Sequence, residues 1–177
     1  MSKIKVGING FGRIGRLALR AAWGWPELEF VAINDTGADA ASLAHLLNFD
    51  SIHGRWSHEA SADGDDMVIE GQRLRVTRNR AISDTDWSGC DLVIEAIFEK
   101  MSLKIELFRE LDRICDAKTI LASNTSGLDI NEMAAVTQRP EKVIGLHFFS
   151  PAHVMRLLEV VRANKTDDAT LATALTL

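Results

Sequence analysis

The chain has 177 residues, of which 46% are hydrophobic and 25% charged, the balance of one ordinary globular domain. Its net charge of −5, without a basic run, offers no attraction to nucleic acid or to an anionic membrane. No apolar stretch approaches the roughly 18 residues of a membrane span, and the two cysteines lie far apart. We therefore expect a cytoplasmic domain with reduced thiols and no metal site, and neither nucleic acid nor membrane as a partner.

A glycine-rich loop, G-x-G-x-x-G at positions 10–15, follows the first apolar run and opens a helix. In such a strand–loop–helix unit Gly10 allows the tight turn, Gly12 lets the backbone approach a pyrophosphate, and Gly15 lets helix and strand pack closely. The start of the helix also presents amide groups and a positive dipole end to phosphates. By itself the loop is a weak signal, because glycine clusters also mark ordinary turns.

The next apolar run, residues 29–35, reads as a second strand and ends in Asp35. This carboxylate follows the loop by about 20 residues, where the dinucleotide fingerprint places a partner for the ribose hydroxyls. A phosphate on that ribose would meet a like charge, so NAD is favoured over its phosphorylated form.

The remaining segments alternate between strand and helix. Asp39 is a predicted helix N-cap, and two short alternating runs between turn signals predict a β-hairpin that leads into a strand near residues 73–77. Residues 91–96 form an apolar run without alternation, as in a central parallel strand covered on both faces. Leu103, Leu107 and Leu111 then give the following helix an apolar stripe.

The last predicted elements are a strand at 119–122, a helix at 129–136, a strand at 143–149, a strand at 157–161 after Ser150-Pro151, and a helix at 167–177. Alternating β and α units predict an α/β fold with a doubly wound parallel sheet. We expect a Rossmann fold with strand order 3-2-1-4-5-6 and a β-hairpin excursion before strand 3.

Residues 3 to about 96 resemble the amino-terminal half of a glyceraldehyde-3-phosphate dehydrogenase, through K-V-G-I-N-G-F-G-R-I-G-R, A-I-N-D and L-L-N-F-D-S-I-H-G. This resemblance implies an NAD site with contacts from Asn9, Gly10, Phe11, Gly12, Arg13 and Ile14 in the pyrophosphate loop, Asp35 at the ribose and Arg80 at the adenosine side. Arg80 could equally be a solvated basic residue.

Residues from about 91 to 177 instead resemble the later part of the cofactor domain of a 3-hydroxyacyl-CoA dehydrogenase, through D-L-V-I-E-A-I-F-E, L-A-S-N-T-S and R-P-E-K-V-I-G-L-H-F-F-S-P. This second resemblance implies contacts around the nicotinamide ribose and substrate from Ala96, Glu99, Lys104, Asn124 and Ser126. Lys104 is more simply a solvated surface lysine, and Asn124 and Ser126 could be turn and capping residues. Ser150 stands where many members carry asparagine.

His147 and Glu159 form the predicted catalytic pair, with Ser126 and Asn124 beside them. Oxidation of a secondary alcohol by hydride transfer requires removal of the hydroxyl proton, which imidazole can accept near neutrality. A carboxylate on the other ring nitrogen fixes the tautomer. A lone histidine in an apolar run is more often structural, but the H-F-F-S-P and L-L-E-V-V context favours the pair.

Both resemblances include D-L-V-I-E-A, the predicted fourth strand. We therefore interpret the chain as an engineered recombination of two half-domains, about 1–95 and about 91–177, which form one NAD-binding domain over 1–177. The cofactor of such a fold lies across the switch point between the halves, so each half supplies part of one site.

The leading expectation is a monomeric NAD-binding domain without a substrate domain, inactive by itself. The first alternative is a weak NAD-dependent 3-hydroxyacyl-CoA dehydrogenase that uses the His-Glu pair. The second is a folded domain whose half-sites are misaligned and bind nothing well. Oxidation of glyceraldehyde phosphate is not expected, because the chain has no S-C-T-T-N segment and no activated cysteine motif.

Overall fold

The computed structural model describes residues 3–149 and 157–177. Its strands, in chain order, are β1 (Ile4–Asn9), β2 (Leu28–Asn34), β3 (Phe49–Asp50), β4 (Gly54–Arg55), β5 (Ala60–Asp63), β6 (Asp66–Ile69), β7 (Gln72–Thr77), β8 (Leu92–Glu95), β9 (Ile120–Ser123), β10 (Val143–Phe148) and β11 (Leu158–Arg162). Its α-helices are α1 (Arg13–Ala22), α2 (Ala40–Asn48), α3 (Met101–Ile114), α4 (Ile130–Ala135) and α5 (Asp168–Ala174). The predicted turn at Ser150-Pro151 lies outside the described residues.

One nine-stranded sheet runs in the order β11-β10-β9-β8-β1-β2-β7-β6-β5. The six central strands are parallel, and their order, β7-β2-β1-β8-β9-β10, is the predicted order 3-2-1-4-5-6. The antiparallel hairpin of β5 and β6 extends one edge, and antiparallel β11 extends the other. The doubly wound α/β fold with a hairpin before the third parallel strand is therefore confirmed.

Two small features were not predicted. Strands β3 and β4 form a separate two-stranded sheet, and the polar strand β5 pairs with β6. A two-residue strand is too short to show a period, and the exposed residues of β5 lack the apolar alternation that would mark a strand.

Apolar side chains cover both faces of the sheet. One core joins α1, α2 and α5 to one face, and it includes Leu17, Leu43 and Ala174. The other core joins α3 and α4 to the opposite face, and it includes Phe108 and Met133. Each core contains residues from before and after residue 91, so packing is continuous across the point where the two resemblances meet.

Strand β8 joins the two halves at the centre of the sheet. It pairs with β1 on one side, where Asn9 lies beside Glu95, and with β9 on the other, where Glu95 lies beside Ser123. The carboxyl ends of three parallel strands therefore meet at one edge, which is where open α/β sheets bind ligands.

Both cysteines are buried and free. Burial raises the pKa of Cys90 to about 11 and that of Cys115 to about 12, so neither is an activated nucleophile. Within the described ranges there is no group of three or more His, Cys, Asp or Glu that could hold a metal ion. No helix of that part of the chain is long and apolar enough to cross a membrane.

Candidate functional site

Two of the loop glycines are fixed by close backbone contacts. Gly10 has a φ of +94°, and a Cβ there would lie 2.7 Å from the Ala96 carbonyl oxygen. A Cβ on Gly15 would lie 2.2 Å from the Gly10 carbonyl oxygen, so only glycine lets α1 approach the loop so closely. A Cβ on Gly12 would meet nothing within 4 Å. Gly12 therefore leaves open space for a group that approaches the start of α1.

Asp35 ties the end of β2 to the glycine loop. Its Oδ2 accepts a hydrogen bond from the Phe11 amide at 2.6 Å, and its Oδ1 accepts one from the Gly37 amide at 2.8 Å. The Phe11 side chain is fully buried in the core, so this residue contributes to the loop through its backbone. The carboxylate remains half-buried at the edge of the cleft that the loop borders.

The Arg13 side chain points to a neighbouring loop. Its guanidinium donates to the Ser51 hydroxyl at 3.3 Å and lies 3.7 Å from the Asp50 carboxylate. Arg16, one turn later, donates to the Phe11 carbonyl at 2.9 Å. Burial lowers the pKa of the Arg16 guanidinium. The carboxylates of Asp50 and Asp35 raise this pKa and offset only part of the effect.

A cleft of about 660 Å³ opens above the loop, a size within the range of ligand pockets. Six predicted contacts line it: Asn9, Gly10, Gly12, Asp35, Arg80 and Ala96. Ala96 lines it from the β8 side, beside the exposed Phe98.

The wall of this larger cleft is held by amide side chains. Asn34 donates to the Asn9 side chain at 2.9 Å and to the Asn79 carbonyl at 3.1 Å. The Asn79 amide donates back to the Asn34 Oδ1 at 2.9 Å. These bonds satisfy the buried polar groups and fix the ends of β1 and β2.

A second cleft, of about 250 Å³, lies on the other side of Ala96. It brings together Ile14 from the loop and nearly all the residues predicted from the second half, namely Ala96, Glu99, Lys104, Asn124, Ser126 and His147. The Asn124 Oδ1 accepts a hydrogen bond from the Phe148 amide at 2.9 Å, which fixes the residue after β9 to the end of β10. Because Ala96 lines both clefts, they adjoin along one edge of the sheet.

His147 and Glu159 are directly opposed in the antiparallel pair of β10 and β11. The His147 Nδ1 lies 3.2 Å from the Glu159 Oε2. The histidine side chain is 18% exposed and the glutamate side chain 52%, so the pair is accessible to solvent. The sequence prediction that an antiparallel neighbour joins these two side chains agrees with this register.

The expectation that Lys104 is a solvated surface lysine is wrong. Its side chain is 1% exposed, and its Nζ donates to both carboxylate oxygens of Glu95, at 2.7 and 2.9 Å. The predicted apolar stripe of α3 is buried at Leu107 and Leu111, but Leu103 is exposed and Lys104 takes the inward position in the first turn. A buried carboxylate opposite explains the burial, because it neutralises the ammonium.

Glu99 links this buried pair to the turn after β9. Its Oε1 accepts hydrogen bonds from the Thr125 hydroxyl and, at 3.1 Å, from the Ser126 amide, while its Oε2 lies 3.4 Å from the Lys104 Nζ. Partial burial opposes ionisation, but the Thr125 bond and the Lys104 charge lower the pKa of Glu99 below its usual value. The carboxylate is therefore ionised at neutral pH.

Sequence reasoning missed four polar residues that shape the site. These are Asn34, Asn79, Glu95 and Thr125. Glu95 could have been found from the sequence, because it is a charged residue in an otherwise apolar central strand. Such a residue is rarely buried without a partner, so a buried cation nearby could have been predicted. Asn34 is a similar case, as a buried polar residue at the end of β2, whereas Thr125 lies in the turn two residues after β9.

Comparison with known proteins places this geometry in a family. The family model for the 3-hydroxyacyl-CoA dehydrogenase, NAD binding domain, matches residues 5–177, well beyond the half predicted from motifs. Glyceraldehyde-3-phosphate dehydrogenase 3 of Nostoc is 55% identical over 95 residues, which are 52% of this chain and 28% of that protein. The peroxisomal bifunctional enzyme of Danio rerio is 55% identical over 97 residues, which are 55% of this chain and 14% of that protein.

Among solved structures, the (S)-3-hydroxybutyryl-CoA dehydrogenase of Ralstonia eutropha superposes with a TM-score of 0.69 at 30% sequence identity. The superposition covers 99% of this chain and 60% of that one. The chain thus spans 28% or less of the two curated relatives and about 60% of this structure. With the family match over residues 5–177, the chain belongs to the NAD-binding domain family of 3-hydroxyacyl-CoA dehydrogenases.

Proposed function

We propose that this chain is a cofactor-binding domain that holds NAD across both clefts. The larger cleft, with Asp35 and Arg80, takes the adenosine half of the cofactor, and the pyrophosphate lies at Gly12, where the loop leaves space. The smaller cleft, with Asn124 and His147, takes the nicotinamide riboside half. NAD supplies the hydride acceptor when bound, and the chain supplies position and charge.

One observation carries the proposal. Residues that two different motifs predicted as cofactor contacts line two clefts that adjoin at Ala96, at the carboxyl ends of β1, β8 and β9. Without this continuity, two half-sites would each bind only a fragment of the cofactor.

The test is a calorimetric titration with NAD. We expect a dissociation constant on the order of 0.1 to 1 mM, or about −4 to −5.5 kcal/mol. At ten times that concentration the cofactor should add about 1.4 kcal/mol of stability and raise the melting midpoint by about 3 to 6 °C. If millimolar NAD produces neither heat nor a shift in the midpoint, the proposal is wrong.

A second candidate function is slow 3-hydroxyacyl-CoA dehydrogenase activity. The observation that favours it is the 3.2 Å contact between His147 Nδ1 and Glu159 Oε2, which leaves the other ring nitrogen of His147 free of that carboxylate. In this mechanism Nε2 accepts the substrate hydroxyl proton, and Glu159 accepts the hydrogen bond from Nδ1–H and stabilises the imidazolium.

The open position of the pair argues against fast turnover. Glu159 is more than half exposed, so the described part of the chain does not exclude water around the pair or orient a thioester beside it. Loss of orientation alone can remove many orders of magnitude from a rate. We therefore rank cofactor binding above catalysis.

The origin of the chain is a further proposal. We propose an engineered recombination with its junction near β8, where the two sets of motifs overlap; a relative from each of two families matches about half of the chain at 55% identity. Comparing residues 1–90 and 96–177 separately with both families tests this. Equal similarity of both halves to one family would contradict it.

A further inference from the structure

We propose that Glu95 is a positioning residue for the nicotinamide riboside half of bound NAD, and that it acts through Lys104 on the turn that contains Ser126. This inference rests on the proposed function. It concerns a carboxylate that neither the glycine loop nor the His147–Glu159 pair uses.

Glu95 is completely buried, and its side-chain hydrogen bonds lead mainly to residues around the smaller cleft. It accepts two hydrogen bonds from Lys104, one from the Ser123 hydroxyl and one, at 3.2 Å, from the Ile97 amide. A carboxylate removed from water at such cost must be balanced by charge and hydrogen bonds, and these partners supply both.

The Lys104 ammonium is directed to carboxylates rather than to open space. An ammonium has three N–H donors, and three carboxylate oxygens of Glu95 and Glu99 lie within 3.4 Å of the Nζ. Its role is therefore to hold Glu99, which in turn accepts hydrogen bonds from the Thr125 hydroxyl and the Ser126 amide. Glu95 fixes the lysine, the lysine fixes Glu99, and Glu99 fixes the turn.

The network reaches mainly one of the two clefts; Ile97, whose amide bonds Glu95, borders both. Glu99, Lys104 and Ser126 line the smaller cleft, and none of them lines the larger one, where the glycine loop and Asp35 lie. A defect in the network should therefore weaken contacts to the nicotinamide riboside and leave contacts to the adenosine and pyrophosphate intact.

The experiment compares NAD with ADP, which keeps the adenosine and the pyrophosphate but lacks the nicotinamide riboside, by calorimetric titration of the purified chain. Because either single substitution would leave a buried charge unpaired, the main variant is the double substitution Glu95→Gln with Lys104→Met. We expect its NAD affinity to fall about tenfold and its ADP affinity to stay within about twofold. A second variant, Ser123→Ala, keeps the ion pair and replaces the double variant if that one does not fold. It should lose about threefold in NAD affinity with the same selectivity.

The matched control is Asp112→Asn, which breaks a second buried ion pair, with Arg139, near the other end of α3. It should lower the melting midpoint and leave both affinities unchanged. An equal loss of both ligands in the network variants, or no loss of NAD, overturns the inference and leaves cofactor binding standing. If the unmodified chain binds neither ligand, the proposed function fails and this inference fails with it.

Discussion

The amide of Phe11 and the carboxylate of Asp35 are joined by a hydrogen bond of 2.6 Å, which ties the glycine loop after β1 to the end of β2. Asp35 therefore stabilises the glycine loop, in addition to its proposed role as a partner of the ribose. The two roles use the same carboxylate, and they can be separated by measuring stability and affinity together.

Asp35→Asn should reduce NAD affinity by about 1.5 to 3 kcal/mol, because it removes the charged acceptor for the ribose hydroxyls. The asparagine side chain keeps one oxygen acceptor, so the melting midpoint should fall by only a few degrees. Titration and thermal unfolding of the same preparation check this. Unchanged affinity would show that Asp35 serves only the loop.

Alanine substitutions at two loop glycines should have different effects, one on stability and the other on NAD affinity. Gly15→Ala should destabilise the fold by about 2 kcal/mol or more, because its methyl group would lie 2.2 Å from the Gly10 carbonyl oxygen. Gly12→Ala should cost less than about 1 kcal/mol, as the space around it is open, and should instead reduce NAD affinity. Denaturant unfolding with and without NAD separates the two, and similar losses of stability would contradict the geometry.

Removing the imidazole should leave cofactor binding intact. His147→Ala should bind NAD like the unmodified chain, because most of the binding energy is expected from the loop and riboses. Acetoacetyl-CoA reduction by the unmodified chain should be at or near background, since the His147–Glu159 pair is open to solvent.

Steady consumption of NADH that both His147→Ala and Glu159→Gln abolish would contradict this and favour the dehydrogenase alternative. Turnover that persists in both variants would indicate a contaminating enzyme, so the variants are to be purified in parallel.

The two thiols should resist alkylation in the folded chain. Both side chains are buried, and burial raises their pKa to about 11 for Cys90 and about 12 for Cys115, so little thiolate exists near neutral pH. Labelling with iodoacetamide, followed by mass spectrometry, should give unmodified protein, and full labelling in denaturant provides the control. Rapid labelling of the native chain would show that the second core opens locally.

Asp167 should make stability depend on acid pH. A hydrogen bond from Lys142, with the Thr170 amide, lowers the pKa of Asp167 from 3.8 to about 2. Because the folded-state value lies below the unfolded one, this stabilisation is present above about pH 4 and is lost as the pH falls to about 2. Its size should be below about 1 kcal/mol, since the side chain is 35% exposed.

Asp167→Asn measures this contribution. Its free energy of unfolding should be lower than that of the unmodified chain at neutral pH, and the difference should disappear as the pH falls to about 2. A difference that grows toward low pH would contradict the sign.

The fold could be predicted because local signals agreed with the global pattern. Alternation in the hairpin, the cap at Asp39, and the unbroken apolar run of β8 each matched the observed element. The Asp39 carboxylate accepts from the Ser42 amide at 2.8 Å, as an N-cap does. The short strands β3 and β4 could not be predicted, because two residues carry no period.

Several residues that line the two clefts could be predicted from the sequence, but the hydrogen bonds between them could not. The sequence predicted the pair of His147 and Glu159 from its motif context and an antiparallel return, and the register of β10 with β11 sets the two residues opposite each other. The sequence could not place Lys104, because a first-turn lysine is solvated unless a carboxylate lies buried beneath it. That carboxylate, Glu95, comes from a strand that precedes the helix, and its direction depends on the pairing of β8 with β9.

The pairing of β1 with β8 also has a consequence during synthesis. Strand β1 pairs with β2 at one edge, but its other edge pairs with residues 92–95, which are synthesised much later. The hydrogen bond from the Lys5 amide to the Asp91 carboxylate spans 86 positions of the sequence. Until residues 92–95 are synthesised, a nascent chain on the ribosome presents an open apolar strand edge, a template for pairing with other chains. Such non-local closure favours slow folding, and the yield of native protein should therefore depend on translation speed and on chaperones that shield the first half.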